Sequence, residues 1–385
     1  MKKQLVVALG LTVLATPAFA SKARLQALGE DTYGSFYVND NRNVFLNAAN
    51  VNNQKDLATF EFGNTTNSQD GTTSPRAEGG VFKSMGNLVY GVYLGSQSNT
   101  SNGYRSAAGL NGGAGTFESN NLDLFVGGDA GMKWGANVTY SNTAKDETAN
   151  GAKQEAIRTR LGVIAGDIEG FANINLVNNA KDSTGQKFEG KLGYQLGAIY
   201  NLNDYRIFAE YRDFSGKAKG ANDADISSNQ LQIGAGRSTK LNDKATLFTR
   251  AQFQHNKASN DSGSATFAAT CSSAFSVGCK SYTSSQVPLV AGLEYDAASW
   301  LTLRGSVSQV LWGTQEDKSN KKGFANSTTV NAGASLKFGE MTVDGVIGNS
   351  AALAGAAPTS TDTSGGNGNL RTDNLMSRVS MTYRF

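Results

Sequence analysis

The sequence of 385 residues holds one histidine, two cysteines and four prolines, and only 17% of it is charged. A single histidine removes most histidine-dependent catalysis, and two cysteines make neither a zinc ribbon nor a disulfide framework. A collagen period is absent. Beyond the first twenty residues, no run approaches the ~20 consecutive apolar residues of a membrane helix. The formal charge of +3 includes Lys2 and Lys3. The remainder is close to neutral and lacks the concentrated basic face that nucleic-acid binding asks for. Neither a cofactor nor a metal site is expected, and an enzyme is the least favoured class.

What is present is glycine, 45 residues, well above the average usage of about 7%. The first twenty residues read as a secretory signal. Lys2 and Lys3 form the positive region, Leu5 to Ala15 the apolar stretch, and Ala18-Phe19-Ala20 the cleavage site. Cleavage before Ser21 places the chain outside the cytoplasm. At the other end, Phe385, Tyr383, Met381 and Val379 alternate with Arg384, Thr382, Ser380 and Arg378. A period of two is a strand with one face in oil and one in water.

The alternation recurs, for example in 131–141, 188–200 and 326–338. Short turns near residues 85–87, 128–130, 166–167, 201–203, 242–243, 297–298 and 339–340 alternate strictly with longer polar stretches. Seven short turns and eight long loops join sixteen strands, with 14 and 18 as neighbouring counts if a weak strand in 57–95 is misread. The expected fold is all-β: an antiparallel, up-and-down transmembrane β-barrel over 57–385. Residues 21–56 form a lead-in or plug segment at its amino-terminal end. Both termini fall at the short-turn, periplasmic end. Closure follows from hydrogen bonding, because every backbone polar group in hydrocarbon needs an internal partner. Sixteen strands leave a water-filled lumen.

A chain ending in Tyr383-Arg384-Phe385 resembles the closing strand of outer-membrane barrels. That resemblance implies that Tyr383 and Phe385 are read by the barrel-assembly machinery. Arg24-Leu-Gln-Ala-Leu28-Gly29, followed by Asp40-Asn-Arg-Asn43, Phe45 and Asn47-Ala48-Ala49, resembles the amino-terminal portion of porin-like major outer-membrane proteins. These belong to delta-type and predatory Gram-negative bacteria. Ala48 stands where those proteins carry proline. The resemblance implies a segment tucked into the lumen or its periplasmic mouth. A homo-trimer is left open, with no interface signature in the sequence itself.

Strand parity points Lys133, Arg158, Arg160, Lys187, Lys191, Arg206, Arg212, Arg250, Arg304, Lys337, Arg378 and Arg384 inward. On the same face it puts Glu61, Asp123, Glu169, Glu189, Glu210, Glu294 and Asp344. The basic excess implies mild anion preference. Arg158 with Arg160, and Arg206 with Glu210 and Arg212, are the densest groups and the candidate constriction. Tyr200, Tyr205, Tyr295, Trp300, Phe338, Tyr383 and Phe385 near the short turns, with Tyr140, Phe214 and Trp312 near the long loops, suggest two interfacial girdles.

Cys271 and Cys279 share the longest loop, where an oxidising envelope favours a disulfide. His255 reads as a polar rim residue. Gly234-Ala-Gly236 lacks the strand–turn–helix context of a phosphate loop and fits close backbone packing instead. Pro288 marks a bulge.

The function expected is passive diffusion of small hydrophilic solutes and ions across an outer membrane, with lipid around the barrel. Two alternatives stand beside it. One is a plugged carrier for hydrophobic compounds, for which Phe171, Phe208 and Phe248 also point inward. The other is a structural or adhesive surface protein anchored by its barrel.

Overall fold

The structure is a computed structural model that describes residues 21–63, 76–108, 110, 116–118, 120–144, 151–220, 223–261, 280–317, 321–323, 328–349 and 378–385. The proposed leader and both cysteines lie outside the described residues. Among the described residues, eighteen strand segments form one sheet. They are β1 (Leu57–Gly63), β2 (Arg76–Met85), β3 (Leu88–Leu94), β4 (Leu122–Asp129), β5 (Lys133–Ala144), β6 (Lys153–Ala165), β7 (Ile168–Lys181), β8 (Lys187–Gly190) and β9 (Gly193–Leu202). The second half comprises β10 (Tyr205–Lys219), β11 (Ala224–Lys240), β12 (Ala245–Asn260), β13 (Ser281–Ala298), β14 (Leu301–Glu316), β15 (Lys321–Gly323), β16 (Thr328–Phe338), β17 (Met341–Asn349) and β18 (Arg378–Arg384).

Segments β8 and β9 both lie between β7 and β10, and β15 and β16 both pair with β14. Each couple is one interrupted strand, so the barrel has sixteen. Closure is antiparallel, with Phe60 of β1 opposite Met381 of β18. The last residue completes the ring: Phe385 N–H donates to the Asp56 carbonyl at 3.1 Å. Both ends of the barrel chain therefore meet on the short-turn side.

The two faces differ as the period of two requires. Phe60, Val92, Val138, Leu196, Ile207, Leu293, Val307 and Met381 project outward and stay exposed, which is the apolar band of a bilayer-spanning barrel. Tyr200, Tyr205, Tyr295, Trp300, Phe338, Tyr383 and Phe385 are exposed near the short turns, and Tyr140 and Trp312 toward the other rim. Phe214 departs from this girdle. It shares the inward parity of Glu210 and Arg212 and lines the internal cavity.

Strands reach farther on the long-loop side than apolar alternation indicates. β10 runs to Lys219 and β11 starts at Ala224, well inside the polar stretch that the sequence leaves between them. Above the membrane both faces are wet, so the ladder continues after the hydrophobic signal has stopped. The break at 191–192 also resets parity. Phe188 turns inward at 1% exposure, and Lys187, Glu189 and Lys191 are exposed outside the lumen, correcting their expected inward placement. Pro288 sits at a register shift against β14, as a missing ladder donor requires.

Lysine at the outward Leu196 should destabilise the barrel by about 2–4 kcal/mol, the penalty for a charge at the lipid midplane. The same substitution at the neighbouring Gln195, whose side chain donates to inward Glu210 at 2.6 Å, should leave stability nearly unchanged. Urea unfolding from lipid vesicles measures both.

Candidate functional site

Residues 21–54 occupy the space inside the ring of strands. Local capping shapes this segment. The Ser21 hydroxyl caps helix α1 (Lys22–Ala27) by accepting from Arg24 N–H at 3.2 Å. Asp40 and Asn47 do the same for 3-10 turns at Asn41–Phe45 and Ala48–Asn53. Gly29 adopts φ +76° after α1, the left-handed exit that glycine takes at no steric penalty.

Three apolar contacts seat the segment on the wall. Leu25, Leu28, Tyr37 and Val38 pack on Phe248. Phe36 and Leu46 pack on Phe171, Ile199 and Phe208, with the Phe36 and Phe208 rings stacked at 4.3 Å. Val44, Phe45 and Val51 pack on Leu57, Phe82, Val89, Tyr93 and Phe125. The wall is carved for this guest by glycine. A Cβ on Gly333 would lie 2.6 Å from that of Ala27, and one on Gly135, Gly162 or Gly236 would collide with Ala48, Asn47 or Tyr37. The Gly234-Ala-Gly236 pair is therefore packing, with Gly234 giving room to Phe208 and Gln252.

Charge fixes the register. Arg42 is 2% exposed. It donates to Glu78 at 2.9 Å and Tyr93 at 2.8 Å, and lies 3.7 Å from Glu61 and 4.1 Å from the Phe45 ring centre. Lys22 pairs with Glu78 at 2.5 Å. Arg24 pairs with Glu294 at 2.8 Å and with Asp40 at 3.5 Å. Arg304 donates to Glu294 at 2.6 Å and Asp344 at 2.9 Å, and the Ser21 hydroxyl reaches the same Asp344 at 3.2 Å. Burial pushes the Asp40 carboxyl up to about 7 against the pull of Arg24, and lowers the Lys22 ammonium to about 8, with Arg42 adding to the fall.

Helix α2 (Asn99–Ala107), between β3 and β4, also turns into the lumen. Its Arg105 is fully buried, donating to Asn178 at 2.9 Å and Gln154 at 3.1 Å. Tyr104 lies 6.3 Å from Phe188, ring to ring. Between α2 and the amino-terminal segment lies a cavity of about 430 Å³. Glu30, Asp31, Tyr33 and Phe36 belong to the segment's side of it. Arg158, Arg160, Arg212, Arg250, Asn173, Asn175, Gln195, Gln232, Gln252, Gln254 and Gln286 belong to the wall.

The expected pore-lining residues divide by height. Arg158, Arg160, Arg212 and Arg250 reach the cavity. Arg206 pairs with Glu169 and lies 3.3 Å from Asn39. Arg304 is consumed in the Asp344 and Glu294 cluster, and Arg378 stands on the inward face of β18 near Glu61. Glu210 is buried behind Arg212. The pairs are asymmetric. Arg158, Arg160 and Arg212 keep 11, 12 and 26% of their side-chain surface, while their carboxylates on Glu118, Asp123 and Glu210 keep none. The barrel wall therefore presents guanidinium to the cavity with the paired carboxylates set behind, while Glu30 and Asp31 face it from the segment.

His255 projects on the same face as Phe253, its ring stacked at 6.5 Å, with Nδ1 2.9 Å from the Ser285 hydroxyl. Tyr383 and Phe385 stand together on the outward face, rings 6.4 Å apart. Sequence reasoning missed Glu78, Glu118, Glu30 and the segment's own Lys22, Arg24 and Arg42. The available signal was charge interleaved with apolar residues in 21–56, opposite inward-parity glycines.

No protein-family profile matches the chain, and no curated protein does. Solved structures of low identity are similar in architecture. The CymD monoaromatic hydrocarbon channel is 12% identical over 94% of this chain and 96% of its own, with a TM-score of 0.39. The outer membrane channel DcaP of Acinetobacter baumannii is 12% identical over 86% and 95%, also at 0.39. A porin is 11% identical over 86% and 99%, again at 0.39. These likenesses assign no activity.

Two outcomes test how the segment is held, read from the mobility of a nitroxide on Asn39→Cys with Cys271 and Cys279 replaced by serine. Arg42→Gln takes the nearest cation from buried Glu61 and leaves Glu78 to Lys22 alone, and should weaken docking by about 3–5 kcal/mol, turning an immobile spectrum mobile. The pH dependence follows from Asp40. Its carboxyl is raised on docking, so Asp40's own contribution to docking is fully present below the ordinary carboxylate range near 4 and is lost as pH rises through about 7. Asp40→Asn should remove that contribution, so docking of the variant should fall less between pH 4 and 7 than docking of the unaltered chain.

Proposed function

We propose that this chain is an outer-membrane channel for passive diffusion of small hydrophilic solutes and ions, mildly anion-preferring, with residues 21–56 as its plug. The observation that carries the reading is the cavity wall, where guanidinium groups face the open space and their carboxylates lie behind. With Glu30 and Asp31 leaving on the segment, the basic excess of the wall biases which ions enter without holding one of them. The amides of Asn173, Gln195, Gln232 and Gln254 suit hydrated solutes. The resemblance of 21–49 to porin-like major outer-membrane proteins of predatory bacteria agrees with this. In the same reading, cleavage before Ser21 frees the segment from its leader, and outward Tyr383 and Phe385 are what the assembly machinery takes.

One observation favours the hydrophobic carrier: Phe171, Phe208 and Phe248 do converge on the segment. Their rings are 1–6% exposed, spent on seating Phe36, Leu25 and Leu28 rather than lining the cavity. The arginines and amides of the wall support hydrophilic solutes.

Planar-bilayer recording of refolded protein tests the reading, with heat-modifiable migration as the check on closure. Full-length protein should show small or rare steps. Deleting 21–56 should give large ohmic steps, with a reversal potential displaced toward that of chloride in a potassium chloride gradient. Silence from the closed deletion variant would leave a surface anchor as the better account.

A further inference from the structure

The segment and the cavity wall meet at one ion pair that is also part of the cavity surface. Glu30 and Arg250 both line it, with Glu30 Oε1 3.2 Å from Arg250 Nε. The Ser35 hydroxyl donates to Glu30 Oε2 at 2.8 Å and the Tyr37 hydroxyl to Oε1 at 3.1 Å. Tyr37 lies against Gly236, which is opposite Arg250 in the ladder between β11 and β12. Arg250 spends Nη1 on Gln252 at 2.8 Å. Its Nε–H, for all its closeness to Glu30, has no aligned acceptor among the described residues. The side chain is 13% exposed, while that of Glu30 is 2%.

We propose that Arg250 binds the carboxylate of small organic acids entering the cavity, and that the bound ligand displaces Glu30 and so unlatches the amino-terminal segment. The proposal deepens the channel reading and rests on it. A free carboxylate offers the same charge as Glu30, but it can turn to meet the guanidinium along two parallel hydrogen bonds. Glu30 is tied to Ser35 and Tyr37 and presents one oxygen to a misaligned Nε–H. Arg212, Gln232 and Gln254 on the same wall supply charge and donors for the rest of an acid. Ligand and latch compete for one site, so whatever weakens the latch tightens the ligand, by up to the same factor while the latched form dominates.

The probe is sodium succinate, titrated calorimetrically into the refolded full chain at ionic strength held constant with chloride. Glu30→Gln removes the internal competitor and should bind succinate about tenfold more tightly than the unaltered chain. Tyr37→Phe, a gentler change, should tighten it by a smaller factor. Arg250→Gln should lose binding. In bilayers, succinate should raise the open probability of the unaltered channel several-fold and leave Arg250→Gln unmoved. Equal or weaker binding by Glu30→Gln, or undiminished binding by Arg250→Gln, overturns the proposal. If the 21–56 deletion conducts but succinate leaves the full chain shut, the latch fails and the channel stands. If the deletion never conducts, the channel reading falls while calorimetry still decides the Arg250 site.

Discussion

An ion taken out of water needs an opposite charge at hydrogen-bond distance, and the interior of this barrel is organised by that requirement. Lys22, Arg24 and Arg42 enter the lumen on the amino-terminal segment and meet Glu61, Glu78 and Glu294 on β1, β2 and β13. The wall's own Arg304 holds Asp344 and shares Glu294 with Arg24, whereas the segment's Lys22 and Arg42 have no other carboxylate partner among the described residues. Breaking such a buried pair is worth about 3–5 kcal/mol, whereas the half-exposed Lys219–Glu189 pair on the outer side is screened by solvent and contributes little. The segment's position is thus decided inside the lumen.

Apolar packing and absent side chains complete the fit. Phe36 on Phe208 and Leu25 on Phe248 supply non-directional adhesion, while glycines at inward positions of β4, β5, β6, β11 and β16 let backbone approach backbone. Replacing buried ion pairs by hydrophobic residues often stabilises a protein. Their presence here suits a part that sits in one register and, in the proposed function, is released. Hydrophobic contact alone would hold the segment without giving a solute any means of competing for its place.

Much of the architecture was legible because a barrel wall is read by a period of two. Strand number, the position of each short turn and the inward set of arginines follow from alternation and turn residues. Parity failed where the physics behind it stops. At 191–192 a break in the strand resets the faces, placing Phe188 inward and Lys187 outward. Beyond the bilayer, β10 and β11 run on with both faces wet. Phe214 was assigned to the lipid interface from its height, although its parity with Glu210 and Arg212 already put it inside. The site was less legible. Arg250 could be placed on the lumen face, but its partner Glu30 lies 220 residues earlier, where neither periodicity nor spacing connects them. Glycine excess was visible in composition; that it forms a seat became visible only once Ala27, Tyr37 and Ala48 were found against it.

The account stands on residues 21–56 being a folded, docked part of the interior. Hydrogen exchange read by mass spectrometry on the refolded protein in detergent or lipid tests this directly. The account predicts that amides of 22–54 are protected together, on a timescale approaching that of the β5–β6 and β11–β12 ladders, and are released as one unit when Arg42 is replaced. Exchange of 22–54 at the rate of an unstructured peptide, beside fully protected strands, would contradict it.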